Sequence, residues 1–247
     1  MSYENFAYFY DSLQTDVDYE GRADYLLRIF RKYDRLPTLV LDVACGTGGF
    51  TLPFLKNGID VIGVDPSPEM LNIAREKLCA SGYDALLLCQ SAEELDLYGT
   101  VDGAVCCLDS LNHIIDAEEL RRSIARIALF LEKDRLFIFD VNTEYKHKNV
   151  LSEAVFTAET EDCFCVWRNS ECSSDGVVDI SLDFFKENEN GTYTRTFEDF
   201  SERAYSVEYL NDCVTAAGLE TVAILGDMSM EAPTCEEQRI IFVTRRI

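Results

Sequence analysis

Apolar positions follow two rhythms along this chain. Short, nearly unbroken apolar runs occupy residues 39–43, 60–65, 84–89, 101–108 and 136–141. Runs of that length suit strands buried on both faces of a parallel sheet. Between them, apolar residues return every three or four positions, the period of a helix with one buried face. This predicts a helix over 50–56, stopped by Asn57-Gly58. A second starts at Pro68, capped by Ser67, and runs to about Ser81-Gly82. A third runs from Ala117 to about Leu131, with Leu120, Ile124, Ile127 and Leu131 inward and Arg121, Arg122 and Arg126 on the solvated face. Strands alternating with helices predict an α/β domain around a mostly parallel sheet.

The two ends and one middle stretch depart from that alternation. Upstream, Phe6, Phe9, Tyr10 and Leu13 recur at helical spacing within residues 2–14, and Asp16 or Asp18 can start a second helix from Tyr19 to about Tyr33. Tyr25, Leu26, Ile29 and Phe30 form the buried stripe of the second. From 153 to 200 the period becomes two, most clearly over Val178–Phe184, with hairpin turns at Ser173-Ser174-Asp175-Gly176 and Asn188-Glu189-Asn190-Gly191. Three or four antiparallel strands inserted after the fifth strand are expected. Trp167, Arg168, Phe197, Glu198, Arg203 and Tyr205 are candidates to line a pocket beside them. A helix over Ser206–Ala217, closed by Gly218, precedes the last two strands, Leu219–Leu225 and Arg239–Thr244. The implied division is 1–36 as a helical lid, 37–143 with 206–247 as an α/β domain, and 144–205 as an inserted β subdomain.

Composition narrows the function classes. The 247 residues, 47% hydrophobic, suffice for one α/β domain with an insertion. A net charge of −23 opposes phosphate backbones, so no nucleic-acid partner is expected. Of ten cysteines, Cys89, Cys106 and Cys107 sit in apolar runs and read as small buried hydrophobes. Cys163, Cys165 and Cys172 lack a C-x-x-C pair and a neighbouring histidine, so no metal site is expected. Without a cationic apolar leader or a membrane-length apolar run, a reducing cytoplasm and no membrane partner are expected.

The candidate chemistry lies in Leu39–Phe50. An apolar run containing Asp42 leads into a turn with Gly46, Gly48 and Gly49, and then a helix. Glycines let the backbone approach a ligand, and the N–H groups of a helix start face it. Asp65 ends the next strand about 20 residues on, the spacing at which a carboxylate can hold ribose hydroxyls. Dinucleotides and S-adenosylmethionine (SAM) both use this layout. The dinucleotide pattern G-x-G-x-x-G fails here, because its third glycine falls on Thr51.

The run Asp42-Val43-Ala44-Cys45-Gly46-Thr47-Gly48-Gly49 resembles motif I of class I SAM-dependent methyltransferases, in its D-x-x-C-G-T-G form. The resemblance spans nearly the whole chain and is most specific over residues 39–112. It implies a Rossmann-like fold: a seven-stranded, mostly parallel sheet with helices on both faces, ending in an antiparallel hairpin, plus the antiparallel β insert. It implies that Asp42 and the backbone of Ala44, Cys45, Gly46 and Gly48 hold the methionine moiety, with the Leu108 carbonyl near its ammonium. Asp65 would take the ribose, the segment through Pro66 to Met70 would wrap ribose and adenine, and Ser91-Ala92 would serve adenine. Ser91 stands where many relatives carry Asp, and Met70 is either an adenine contact or core. Tyr10 or Tyr19 is either a wall of the cleft or core. Asp109, Asn112 and His113, beyond the fourth strand, are the polar candidates over the transferred methyl. His113 is either a general base, titrating near neutrality, or a turn cap.

The expected activity is methyl transfer from SAM to a small-molecule acceptor, leaving S-adenosylhomocysteine (SAH), by a monomer or homodimer. The rivals are a SAM-binding regulatory protein without turnover and an NAD-linked oxidoreductase. The Asn/Asp-Pro-Pro-Tyr motif of nucleic-acid N-methyltransferases does not follow the fourth strand.

Overall fold

The computed structural model describes Asp11, Gln14, residues 17–160 and residues 163–247. Apart from Asp11 and Gln14, the helix expected over 2–14 lies outside the described residues, Tyr10 included. Helix α1 (Tyr19–Tyr33) is capped by Asp18, whose carboxylate accepts from Gly21 N at 2.9 Å. Five parallel strands follow: β1 (Leu39–Val43), β2 (Asp60–Asp65), β3 (Leu86–Cys89), β4 (Gly103–Cys106) and β5 (Leu136–Asn142). Between them run α2 (Thr51–Lys56), α3 (Pro68–Ala80) and α4 (Ala117–Phe130). After a short helix α5 (Glu144–Lys146) that continues as a wider turn through Leu151, strands β6 (Val155–Glu159), β7 (Phe164–Asn169), β8 (Val177–Glu187) and β9 (Tyr193–Arg203) form a separate antiparallel sheet. Helix α6 (Val207–Ala216) then leads to β10 (Leu219–Gly226) and β11 (Arg239–Arg246).

The main sheet has the order β10-β11-β5-β4-β1-β2-β3, with β11 antiparallel to both its neighbours. Strand β1 pairs with β2 on one side and β4 on the other, so the strand order reverses at its carboxyl end. A crevice opens at such a switch point, and ligands of open α/β sheets bind there.

Alternating strand residues feed two cores, as the two-residue period requires. Leu41, Val43, Phe137 and Phe139 pack under α4 and α6, against Ile124, Ile127 and Leu210. Val40, Val105 and Ile138 pack under α1 and α2, against Tyr25, Ile29, Phe30 and Phe54. The four-stranded sheet closes on its own cluster of Val178, Ile180, Leu182 and Phe184. Its contact with the main sheet comes at the end of β9, where Arg203 O accepts from Asn112 Nδ2 at 2.8 Å.

Several boundaries differ from expectation for local reasons. Strand β4 ends at Cys106 because Leu108 and Asp109 turn left-handed, at φ 55° and 53°. It starts at Gly103, two residues later than expected, with Val101 instead bridging Leu131 and the Asp102 carboxylate accepting from Thr38 N and Leu39 N. Cys89 is exposed, because β3 is an edge strand, whereas Cys106 and Cys107 are buried. All ten cysteines are free. Among the described residues, no helix is long and apolar enough to cross a membrane.

Candidate functional site

At the carboxyl ends of β1, β2 and β4 lies a cavity of about 310 Å³. Its floor is the glycine turn. Ala44, Gly46 and Gly48 all adopt positive φ there, at 55°, 52° and 76°. Such backbone is inexpensive for glycine but strained for Ala44, and strain of this kind gathers at binding sites. Gly49 is required for a different reason: a Cβ there would fall 2.3 Å from the Tyr19 ring. That ring meets Phe50 edge-on at 5.4 Å and walls a side pocket of about 30 Å³ with Ala44, Cys45, Gly46 and Leu108.

Asp65 ties the two loops together. One carboxylate oxygen accepts from Gly46 N and the other from Ser67 N, both at 2.9 Å, and the side chain still faces the cavity. Burial raises its pKa, and the two N–H bonds only partly offset that. The same Ser67 caps α3 through Met70 N, which brings Pro66 and Met70 to the cavity wall. Ser91 and Ala92, beyond β3, line it further round, with Ser91 Oγ donating to Glu94 at 3.4 Å. Asp11 clasps the turn from outside, accepting from Thr47 Oγ1 at 2.6 Å and pairing with Lys77 at 2.7 Å.

Asp42 is buried behind the turn and lines neither cavity. It accepts from Thr51 Oγ1 at 2.6 Å. Thr51 is the residue at the missing third glycine, so the hydroxyl that spoils the dinucleotide pattern anchors this turn. Burial pushes the Asp42 carboxyl up to about 7, against the Thr51 bond and with help from Asp65. Gly48 also stays out of both linings, because it shapes the turn from beneath, near Ala74.

At the end of β4, the left-handed pair Leu108-Asp109 is pinned by Asp140. Its carboxylate accepts from both N–H groups, at 2.8 and 2.7 Å. Arg239, at the start of β11, bridges Asp140 at 2.7 Å and Asp109 at 2.6 Å. Burial by itself would raise the Asp109 carboxyl, but Arg239, Lys146 and His113 outweigh it and hold the group down to about 2. Asp140 goes the other way, raised by burial that Arg239 only partly offsets.

Two polar candidates therefore do not line the cavity. Asp109 is occupied by Arg239 and by Asn142 Nδ2, the latter at 2.7 Å. Asn112, fully buried, clamps β5 to β9: it donates to Asn142 O and Arg203 O and accepts from Asn142 N. His113 does line the cavity, its ring tilted by 38° against Phe200 at 5.2 Å, with its Nε2 3.8 Å from Glu202. Donor atoms of Asp109, His113 and Glu202 lie within 4.8 Å of one another.

Ala44, Gly46, Asp65, Pro66, Met70, Ser91, Ala92, Leu108 and His113 thus converge on the main cavity, and Tyr19 and Cys45 on its side pocket. The insert residues expected near a pocket line neither space. Arg168 pairs with Asp183, Phe197 faces outward, and Tyr205 lies in the main core.

Sequence reasoning missed Glu119 and Ser123, polar residues on the inward side of α4 that reach the cavity. Ser123, set among Leu120, Ile124 and Ile127, was the readable signal. Sequence reasoning placed Asp140, a lone carboxylate in an apolar strand, near the cleft but gave no role to it or to Arg239, Lys146 or Glu202.

Residues 40–134 match a family model described as a methyltransferase domain. Over 247 residues, covering all of both chains, the sequence is 32% identical to a Geobacillus sp. (strain WCH70) protein that bears a provisional methyltransferase name. The crystal structure of a S-adenosylmethionine-dependent methyltransferase from Clostridium acetobutylicum ATCC 824 superposes with a TM-score of 0.88 at 30% identity, covering 99% of this chain and 98% of that one. A glycine/sarcosine N-methyltransferase of Parasynechococcus marenigrum (strain WH8102) is 30% identical over 132 residues, 50% of this chain and 45% of that one.

Proposed function

This chain belongs to the class I SAM-dependent methyltransferases, and we propose that it methylates a small amine or hydroxyl compound in the cavity at the ends of β1, β2 and β4. The observation that carries the small-acceptor reading is the cavity wall. It is mostly apolar, and apart from Asp65, which takes the ribose, its one charged residue among those described is Glu119, with no lysine or arginine. Such a wall suits a cationic or neutral guest and offers nothing to a phosphate chain. The similarity to a glycine/sarcosine N-methyltransferase supports an amine.

The residues fit SAM. The Asp65 carboxylate, fixed by two N–H groups, keeps lone pairs free for ribose hydroxyls. Met70 and Ala92 give adenine an apolar slot, and Ser91 supplies a neutral acceptor in place of a carboxylate. The left-handed backbone at Ala44, Gly46 and Leu108, with Tyr19 beside it, receives the methionine end. Asp42 acts from behind, through Thr51, to hold that turn.

When bound, SAM supplies an electrophilic methyl on a sulfonium. The chain orients the acceptor behind that carbon and excludes water, which together supply much of the rate. His113, the cavity's own imidazole, takes the acceptor's proton.

Thermal denaturation with SAM, SAH, NAD and NADP in parallel, followed by SAH release over a panel of small amines, hydroxy compounds and structured RNA, tests this reading. A ligand at about 100 times its Kd adds roughly 2.7 kcal/mol, or about 5–10 °C for a chain of this size. SAM and SAH should shift the transition and the nicotinamides should not. Turnover with RNA and with no small compound would overturn the acceptor class.

A further inference from the structure

Behind His113 sit two side chains that methyl transfer, as described so far, leaves unused. Glu202, at the end of β9, is 4% exposed. Its Oε1 lies 3.8 Å from His113 Nε2, and its Oε2 lies 3.7 Å from His147 Nε2. His147 is fully buried in the turn after α5, with Nδ1 2.9 Å from the carbonyl of Gly176. A carbonyl only accepts, so Nδ1 carries a hydrogen, and because burial keeps the ring neutral, Nε2 carries a lone pair. That Nε2 has no hydrogen-bond partner among the described residues.

At rest the ionised carboxylate accepts from Asn142 Nδ2 at 3.3 Å, while the His147 lone pair 3.7 Å away is left without a donor. A proton on Glu202 turns the same pair into donor and acceptor. A cation would satisfy it too, but positive charge is already there. Lys146 Nζ donates to Asn142 Oδ1 at 2.9 Å, beside Glu202, and Arg239 engages Asp109 and Asp140. The charged or titratable groups around Glu202 are therefore Asp109 after β4, His113, Lys146 and His147, with Arg239 next out on β11. Burial and the charge of Asp109 favour the neutral carboxyl, against His113, Lys146 and the Asn142 bond. Burial also keeps His147 neutral.

We propose that Glu202 is the proton sink of the transfer site, receiving through His113 the proton that the acceptor loses, and that His147 Nε2 is the fixed partner of the resulting carboxyl. This rests on the acceptor carrying an N–H or O–H in the main cavity. The acceptor's lone pair forms the bond to the methyl carbon, and the carbon–sulfur pair stays on sulfur. The acceptor's proton goes to the His113 ring nitrogen remote from Glu202. The Nε2 proton passes to Glu202 Oε1, and rotation of the carboxyl about its Cγ–Cδ bond presents that O–H to His147 Nε2. His113 ends neutral and Glu202 protonated, ready to lose the proton to solvent after release. His113 is the residue in contact with the acceptor, and Glu202 and His147 act through it.

The chain has only two histidines, so ¹⁵N-histidine labelling gives two sets of ring signals, and His147→Asn assigns them. In the wild type the His147 Nδ1 signal should stay protonated while Nε2 moves with pH, as Glu202 gains its proton. In Glu202→Gln that pH dependence should vanish, and in Glu202→Asp it should return with a displaced midpoint. A pH-invariant Nε2 in the wild type overturns the proposal, as does an unchanged dependence in Glu202→Gln. If Glu202→Gln fails to fold, the wild-type and Glu202→Asp profiles decide alone. Displacement of both ring signals by stoichiometric Zn²⁺ at neutral pH would replace the proton by a metal ion and overturn it too. None of these readouts needs an acceptor, so a failure of the acceptor reading shows only in the SAH-release panel. With an acceptor in hand, Glu202→Gln should lower kcat by about tenfold or more while leaving SAH affinity within about twofold, as expected for loss of proton-transfer assistance.

Discussion

Asp42 and Asp65 are two buried carboxyls on either side of one turn, and they differ in what they face. Asp42 sees only Thr51 and protein, and its carboxyl is pushed from the ordinary 3.8 up to about 7. A carboxyl whose folded pKa is raised binds more protons folded than unfolded, so stability falls as pH rises across that interval. Below 3.8 both states are protonated, and above about 7 both are ionised, so the dependence is confined between them. Asp42→Asn removes it. The variant should gain stability relative to the wild type as pH climbs through that window and hold a constant difference above it, as read by urea unfolding. Asp65 instead faces the cavity with its remaining lone pairs. Asp65→Ala should weaken SAH binding by about 1.5–3 kcal/mol, the range for lost hydrogen bonds to a charged group. Titration calorimetry measures this, and unchanged affinity would remove the ribose assignment.

At the scale of elements, the site depends on strands held at their ends. The left-handed pair Leu108-Asp109 is kept by Asp140 on β5, and Asp140 and Asp109 are both held by Arg239 on β11. Three separate elements thus meet on one guanidinium that is only 14% exposed. Removing one partner of a largely buried ion network leaves the other charges uncompensated. Arg239→Ala should cost about 3 kcal/mol or more on that account. Urea midpoints should fall with an unchanged m value. A loss near zero would mean that Asp109 and Asp140 find other partners.

Across the whole molecule, charge is the dominant fact. A net −23 over 247 residues makes the folded state repel itself. The paired clusters around Arg239 offset this only locally. Screening relieves repulsion between exposed charges beyond about 10 Å at 0.1 M salt. Raising sodium chloride from low to moderate concentration should therefore increase Tm, and a falling Tm would show that surface ion pairs outweigh the net repulsion.

Strand, turn and helix were legible in the chain because each is set by near neighbours. The apolar runs, the glycines of the turn and Ser67 at the start of α3 reappear where their local rules put them. The lining of the cavity was legible for the same reason. Ala44, Gly46, Asp65, Pro66 and Met70 lie within a few residues of the two strand ends that form it. The region beyond β4 was not. Asp109 and Asn112 read as open cleft residues, yet their partners Arg239, Asn142 and Arg203 come from strands 30 to 130 positions away. Glu202 lay just beyond the alternating stretch 153–200 and carried no signal, and only the docking of β9 against the helix at Ser110–His113 placed it between two histidines. The sequence alone therefore determined the fold and the glycine turn, which hydrophobic period and backbone geometry specify over short spans. The tertiary structure decided which polar groups face the cavity and which neutralise one another, because buried charges are assigned by long-range contacts that no local pattern encodes.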